Sequence, residues 1–336
     1  MEILNALALL TNFLVIPALA YGSQLALGAL GVTLIYGILR FSNFAHGEMM
    51  AFGTMLVILV TWVFQAQGIS LGVLPTELLA LPFGILGAVL LALGTDRIVY
   101  RFHRVKKSPP VIFLIVSLAV MFFYSGLTRF IIGPADRSMG DGARFIFTAR
   151  EFKEWSGLDE GIALRTTQGI TVVVTLLCVA ALFWFLNRTR AGKSMRAYSD
   201  NEDLALLSGV NPERVVLIAW ILAAALATIA GTMYGMDKTF KPFIYLQLLL
   251  PIFASAIVGG LGSPIGAVAG GFVIAFSEIT VTFAYKRVLT YLIPGDYAPD
   301  GLVQLLSTEY KFAVSFVILV VVLLVRPTGI FRGQSV

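Results

Sequence analysis

Apolar positions run through this chain in long blocks, and polar positions gather in the gaps between them. A helix needs about 20 apolar residues to cross the hydrocarbon of a bilayer. By that ruler the blocks at 4–20, 22–39, 48–64, 78–96, 110–132, 169–187, 215–236 and 312–326 are candidate spans. The block at 246–283 is too long for one span. It is interrupted by Gly259-Gly260-Leu261-Gly262-Ser263-Pro264, a sequence that continues a helix poorly, because glycine is conformationally loose and proline removes a backbone donor. The reading is two segments, 246–258 and 265–283, joined by a break. The predicted fold is an all-α polytopic membrane protein of roughly eight to ten transmembrane or re-entrant helices, with broken helices at Gly-rich segments.

Lysine and arginine orient the blocks. The short loop 97–107 holds Arg97, Arg101, Arg104, Lys106 and Lys107, and loop 188–214 opens with Arg188, Arg190, Lys193 and Arg196. The C-terminal tail carries Arg326 and Arg332. By the positive-inside rule all three are cytoplasmic. Loop 133–168 mixes five basic and six acidic residues, shows no such bias, and reads as external. Parity then requires the 246–283 stretch to start and end outside. It also puts the N-terminus inside.

Composition sharpens the class. Apolar residues make up 58% and charged residues 13%, whereas a soluble domain has about 45–50% and about 25%. There is too little polar sequence to cover such an apolar excess in water, which excludes a soluble enzyme. The net charge of +5 does not indicate nucleic acid, because the basic residues flank apolar blocks and read as membrane anchors. One cysteine, Cys178, excludes an intramolecular disulfide and a Cys-based metal site. The first twenty residues lack a basic n-region, and apolar sequence resumes at once after Tyr21-Gly22, so the N-terminus reads as a retained membrane segment.

Three polar features interrupt the apolar text. Asn43-Phe44-Ala45-His46-Gly47-Glu48 is either a break lining a translocation path or a plain turn before a helix whose positive end favours Glu48. His46 is a poor metal ligand, since the only other histidine, His103, lies in the basic loop. The second feature is Gly192-Lys193-Ser194-Met195-Arg196-Ala197, followed by Asp200-Asn201-Glu202 and Ala205 through Pro212. Its Gly-Lys-Ser looks like the end of a phosphate-binding loop, but that loop needs a glycine where Asn187 stands and a buried strand where an apolar helix precedes it. What remains is a short amphipathic helix near 201–208, ended by Gly209 and offered as a docking surface or lying as an ordinary interfacial helix. The third is the break at 259–264, followed by small residues Gly266, Ala267, Gly270 and Gly271 that allow close helix approach, with Glu278 later in the segment needing a partner or water. No paired-carboxylate, nucleophile-elbow or zinc-protease arrangement appears.

Taken in order, these residues resemble the permeases of branched-chain amino-acid ABC importers, closest to the H-type subunit. Ile35-Tyr36-Gly37 with Asn43 through Gly47, the Gly192–Ala197 run with Ala205 and Gly209-Val210-Asn211, the Gly-rich segment Gly259-Gly260 and Gly262-Ser263 through Gly271, and Ser307 through Lys311 with Arg326-Pro327-Thr328-Gly329-Ile330 keep the family's order from about 22 to 331. The resemblance implies one transmembrane permease domain over 1–336 that pairs with a second, homologous permease subunit in a bacterial inner membrane. It implies two cytoplasmic ATPase subunits, which use the ATP, and a periplasmic substrate-binding protein; this chain binds no cofactor, metal or nucleic acid. It places the path at Asn43, His46, Gly47, Glu48, Gly259, Gly260, Gly262 and Ser263, and ATPase docking at Arg196, Asn201, Glu202, Ala205, Gly209 and Asn211. Transport would proceed by alternating access. Two stretches depart from the family pattern: 1–20 is an added N-terminal segment, and 285–311 holds a longer external insert with Pro294-Gly295-Asp296 and Pro299-Asp300-Gly301. The family's cargo also includes urea, amides and organic acids. Outside the family, an ion-driven secondary transporter is the competing class.

Overall fold

The computed structural model describes residues 1–293, 301 and 303–331; Pro294, Gly295, Asp296, Pro299 and Asp300 of the insert, and Arg332 of the tail, lie outside the described residues. The helices in chain order are α1 (Glu2–Leu10), α2 (Ile16–Leu39), α3 (His46–Ala66), α4 (Glu77–Thr95), α5 (Arg101–Val105) and α6 (Pro110–Ile132). After a two-stranded ribbon, β1 (Phe145–Phe147) and β2 (Leu164–Arg165), which encloses α7 (Ala149–Ser156), come α8 (Thr166–Arg188), α9 (Arg190–Asp200), α10 (Glu202–Leu207) and α11 (Pro212–Lys238). The last four are α12 (Ile244–Gly259), α13 (Pro264–Thr282), α14 (Lys286–Leu292) and α15 (Lys311–Val325). Among the described residues eight helical stretches are long and apolar enough to cross a membrane, and α12 is a shorter apolar helix beside them. The protein is an all-α, multi-pass membrane protein, and the Gly-rich stretch at 260–263 separates two helices as its composition predicts.

The first two apolar blocks behave differently from the expectation of two spans. Glu2–Leu39 is one helical rod. A π turn over Thr11–Val15 precedes Pro17, which has no N–H to give the regular ladder. At 1.5 Å per residue, 38 residues reach about 57 Å, well beyond the hydrocarbon thickness, so one end must project. The N-terminal end projects on the side of loop 133–168. The Asn5 amide donates to Asp159 at 3.0 Å, its carbonyl accepts from the Asp159 and Glu160 amides, and Asn12 accepts from the Ala163 amide at 2.9 Å. This corrects the parity reading, which put the N-terminus on the opposite side. Tyr21-Gly22 is not a turn: Gly22 is buried where Phe272 of α13 packs on the rod.

The remaining contacts sort the loops onto two faces. On one, Arg101 and Arg104 approach Glu213 at 3.5 and 4.0 Å, Arg40 donates to the Ser199 carbonyl, and the Ile330 and Phe331 amides donate to Val258 and Gly259. Loops 97–107 and 188–214 and the described C-terminal tail therefore share this basic face. On the far face, Gln65 bonds Asp141, the Ala143 amide bonds Val73, and Arg165 faces Asp237. There α1 and α14 pack through Ala6, Leu9 and Val288, while the Glu160 carboxylate accepts from Arg287 at 2.6 Å and from Tyr291 at 3.0 Å. Helices α1 and α14 thus cover each other.

The centre of the bundle is α2, α3, α11, α12 and α13, with Trp220, Tyr100, Tyr124, Tyr245 and Phe240 among its largest fully buried side chains. The outer helices α4, α6, α8 and α15 leave Leu86, Phe122, Phe130, Leu176 and Leu324 exposed. Such residues cost nothing against lipid tails, and no water-soluble fold would leave so many out.

Candidate functional site

The break after α2 is a local stop followed by a descent. Arg40 takes the left-handed conformation (φ 56°) and caps α2, its amide donating to the Tyr36 carbonyl at 2.9 Å. The chain then turns back into the protein rather than out of it. Phe41 stacks between Tyr100 and Phe113, the Phe44 amide donates to the Ser117 hydroxyl at 3.3 Å, and Phe44 packs on Phe253. Asn43 is buried, and its side-chain oxygen accepts from the Ala45 amide at 3.2 Å and from the Tyr100 hydroxyl at 3.3 Å. His46 then opens α3 below the level of the α2 end, fully buried against Gly31, with the Gly28 backbone as the polar group facing it. Gly47 packs on Tyr245 and Leu249 of α12. Glu48 is 2% exposed and faces Ser125 and Arg129 of α6. The polar hexapeptide is therefore a break inside the bundle and not a turn in solvent.

The second break is built from bare backbone. A Cβ on Gly259 would lie 2.0 Å from the Gly266 carbonyl oxygen, so α12 and α13 cross with main chain against main chain. Gly260 (φ 112°) is pressed against Gly329 of the tail, Gly262 (φ 83°) completes the reversal, and Ser263 caps α13 by accepting from the Gly266 amide at 3.1 Å. Gly259 and Gly260 are buried, while Gly262 and Ser263 are partly exposed. Helix α12 joins the two breaks: Gly47 lies against its first half and Gly259 ends it.

On the basic face, α9 and α10 form a rigid projection. Thr189 caps α9 by accepting from the Gly192 amide at 3.0 Å, and Gly192-Lys193-Ser194 lies inside this helix, not in a loop that cradles phosphate. Arg196 donates to Asn187 at 2.9 Å. Asn201 caps α10 through the Leu204 amide at 3.0 Å, Gly209 (φ 80°) ends it, and Asn211 caps α11 through the Arg214 amide at 3.3 Å. Met195, Tyr198 and Ala205 anchor the pair in the core, and the Tyr198 hydroxyl donates to Glu202 at 2.6 Å. Burial and that neighbouring carboxylate push the Tyr198 hydroxyl above its ordinary titration range. Leu204, Leu206 and Leu207 stay exposed, Leu207 at 86%.

One cavity brings two of the predicted groups together. Arg196 of α9 and Gly262 of the second break line it with Gly37 of α2, Met195 and Pro264. Arg40, just before the first break, bonds Ser199 on the wall of the same cavity. Two polar pairings in the bundle escaped sequence reasoning. Asp96, just past the end of α4, accepts from the Trp220 indole at 2.7 Å and pairs with both terminal nitrogens of the Arg104 guanidinium, tying the end of α4 to α11. Glu278, fully buried, accepts from Ser315 and faces the Lys311 ammonium at 3.5 Å, and that ammonium sits 3.6 Å from the Tyr21 ring centroid. A lone acid late in one apolar block and a lone lysine opening another was the available signal, but nothing local in the sequence says which blocks are neighbours.

Comparison with known proteins bears on the same stretch. The family described as "Branched-chain amino acid transport system / permease component" matches residues 14–323. The "High-affinity branched-chain amino acid transport system permease protein LivH" of Salmonella typhimurium is 30% identical over 323 residues, covering 94% of this chain and 93% of that protein. The permease protein BraD of Pseudomonas aeruginosa is 26% identical, with 96% and 95% covered. A probable LivH of Methanocaldococcus jannaschii is 28% identical, with 93% and 90% covered. With both breaks and the α9–α10 projection inside the matched residues, the chain belongs to the branched-chain amino acid transport permease family.

Proposed function

We propose that this chain is one of two permease subunits of an ABC importer that carries branched-chain amino acids, set in the inner membrane with its basic face in the cytoplasm. The observation that carries the reading is the α9–α10 projection. A six-residue helix with three exposed leucines, capped at both ends and anchored by the buried Ala205, is rigid enough to transmit a push and apolar enough to need a cover. The cover is an ATPase subunit, and the ATP belongs to that subunit. Motion passes from α9 to the rest of the chain along two contacts: the Arg40–Ser199 bond to the first break, and the cavity shared by Arg196 and Gly262 at the second. A binding protein delivers the amino acid on the far face, where 133–168 lies. Rigid-body motion of two such chains then alternates the path between the faces.

The test is transport in vesicles together with co-purification. Leu207→Glu places a charge on the exposed α10 face, touches no core residue and leaves the melting temperature of the permease unchanged. Loss of both ATPase capture and leucine uptake supports the reading. Leucine uptake by the chain without ATPase or binding protein refutes it and points to an ion-driven carrier.

A further inference from the structure

On the far face, a cavity of about 390 Å³ lies between the loop that follows α6, the start of α8 and the end of α11. Its size is within the range of small-ligand sites, about 300–1,000 Å³. Asp237 and Arg144 both line it, and both are incompletely used. The Asp237 side chain is only 4% exposed; among the described residues its Oδ1 accepts no hydrogen bond and meets Arg165 only at 4.0 Å, while its Oδ2 pairs with Lys238 at 3.3 Å. A carboxylate has about four acceptor positions, so this one retains room for an ammonium and its three donors. Arg144 is exposed and makes no ion pair or side-chain hydrogen bond among the described residues; its guanidinium lies 5.5 Å from the Phe145 ring centroid. The other acid on the wall, Asp141, is occupied, accepting from the Thr76 amide at 2.7 Å, the Thr76 hydroxyl and Gln65. Arg165, already facing Asp237, is on the wall too, as are Met139 and Met236, whose thioether side chains adapt to aliphatic groups of varied shape.

We propose that this cavity is a staging site for a zwitterionic aliphatic amino acid, its ammonium held by Asp237, its carboxylate by Arg144, and its side chain against Met139 and Met236. The proposal rests on the reading of the chain as an amino-acid permease and adds where and how the cargo is first held. A simple anion meets Asp237 there and a simple cation meets Arg144, so each half-molecule is discriminated against by the charge it cannot satisfy. The site therefore checks for an amino acid independently of whatever delivers it.

The test uses membranes containing the whole importer, with Cys178→Ala to remove the native thiol and Thr167→Cys to report from the cavity wall. A charged thiol reagent labels position 167, and leucine, without binding protein, slows the labelling. 4-Methyl-2-oxopentanoate lacks the ammonium and isoamylamine lacks the carboxylate; neither slows it at tenfold higher concentration. Asp237→Asn and Arg144→Gln each raise the half-protecting leucine concentration at least tenfold, while Asp237→Glu and Arg144→Lys retain protection. Co-purification with the ATPase subunits shows that each variant assembles. Equal protection by all three compounds, or none by leucine in an importer that still takes up leucine, overturns the staging site and leaves the proposed function intact. An importer that takes up no leucine overturns the proposed function itself.

Discussion

Neutralising Lys311 alone will destabilise the bundle far more than neutralising Lys311 and Glu278 together. The Glu278 side chain is fully buried and that of Lys311 is 25% exposed, with Nζ 3.5 Å from Oε2. At an effective dielectric constant of about 20, Coulomb's law gives about 4.7 kcal/mol for unit charges at that separation. Partial exposure of Lys311 reduces this, and breaking a buried pair typically costs about 3–5 kcal/mol because the remaining charge is stranded. Lys311→Gln should therefore cost about 2–4 kcal/mol, which is roughly 30- to 1,000-fold in the folding equilibrium. The Ser315 hydroxyl still bonds Glu278 in that variant, which keeps the cost below the full Coulomb value. Glu278→Gln with Lys311→Gln leaves two neutral amides and no stranded charge, and should recover all but about 1 kcal/mol. The assay is reversible unfolding of the purified chain in mixed micelles, run as a double-mutant cycle. If the double variant is as unstable as Lys311→Gln, the two charges are not coupled and the argument fails.

Three further outcomes follow from the geometry. Gly259→Ala forces apart a backbone crossing in which Cβ would sit 2.0 Å from a carbonyl oxygen, and should lower stability by about 2 kcal/mol or more, whereas Gly94→Ala, with open space around it, should be neutral or slightly stabilising; micelle melting curves distinguish the two. Asp96→Ala removes the acceptor of the Trp220 indole and leaves Arg104 facing Glu213 at 4.0 Å, and should cost about 2 kcal/mol together with a shift in Trp220 fluorescence. Burial raises the Asp141 carboxyl, but the bonds from Thr76 and Gln65 outweigh it and hold the group below the usual carboxylate range. Its anchoring of the 139–144 loop to α4 is therefore fully present above the unfolded pKa of about 3.9 and is lost as pH falls through the lower folded value. Amide exchange at 139–144 measured from pH 6 downward should show protection failing only below pH 4, and failing at neutral pH in Thr76→Val.

Much of this protein was legible as text because lipid imposes one rule on every residue it touches. An apolar block long enough to cross must be a helix, since no water is present to satisfy its backbone groups. The blocks at 48–64, 110–132, 169–187 and 215–236 accordingly fall inside α3, α6, α8 and α11. The Gly259–Pro264 sequence announced the reversal between α12 and α13, because glycine and proline act through their own backbone wherever they stand. Asn201, Gly209 and Asn211 behave likewise: they cap or end helices by local geometry, and α10 lies where those residues put it.

What the sequence left open needed partners far along the chain. Blocks 4–20 and 22–39 read as two spans; the tertiary structure makes them one rod, with Phe272, 250 positions after Gly22, packed at the junction and the N-terminus on the far face. Glu278 could be known to need a partner but not that Lys311 and Ser315 supply it. The depth of His46 is set by α2 packing against it and α12 against Gly47, and the presence of Asp237 and Arg144 on one cavity wall by the end of α11 meeting the loop after α6. Apolar length, charge bias and backbone chemistry act within a turn or a span, so the sequence by itself determined a polytopic helical protein with a basic face and two breaks. Which helix lies against which depends on side-chain fit between distant segments, and that the tertiary structure alone decided.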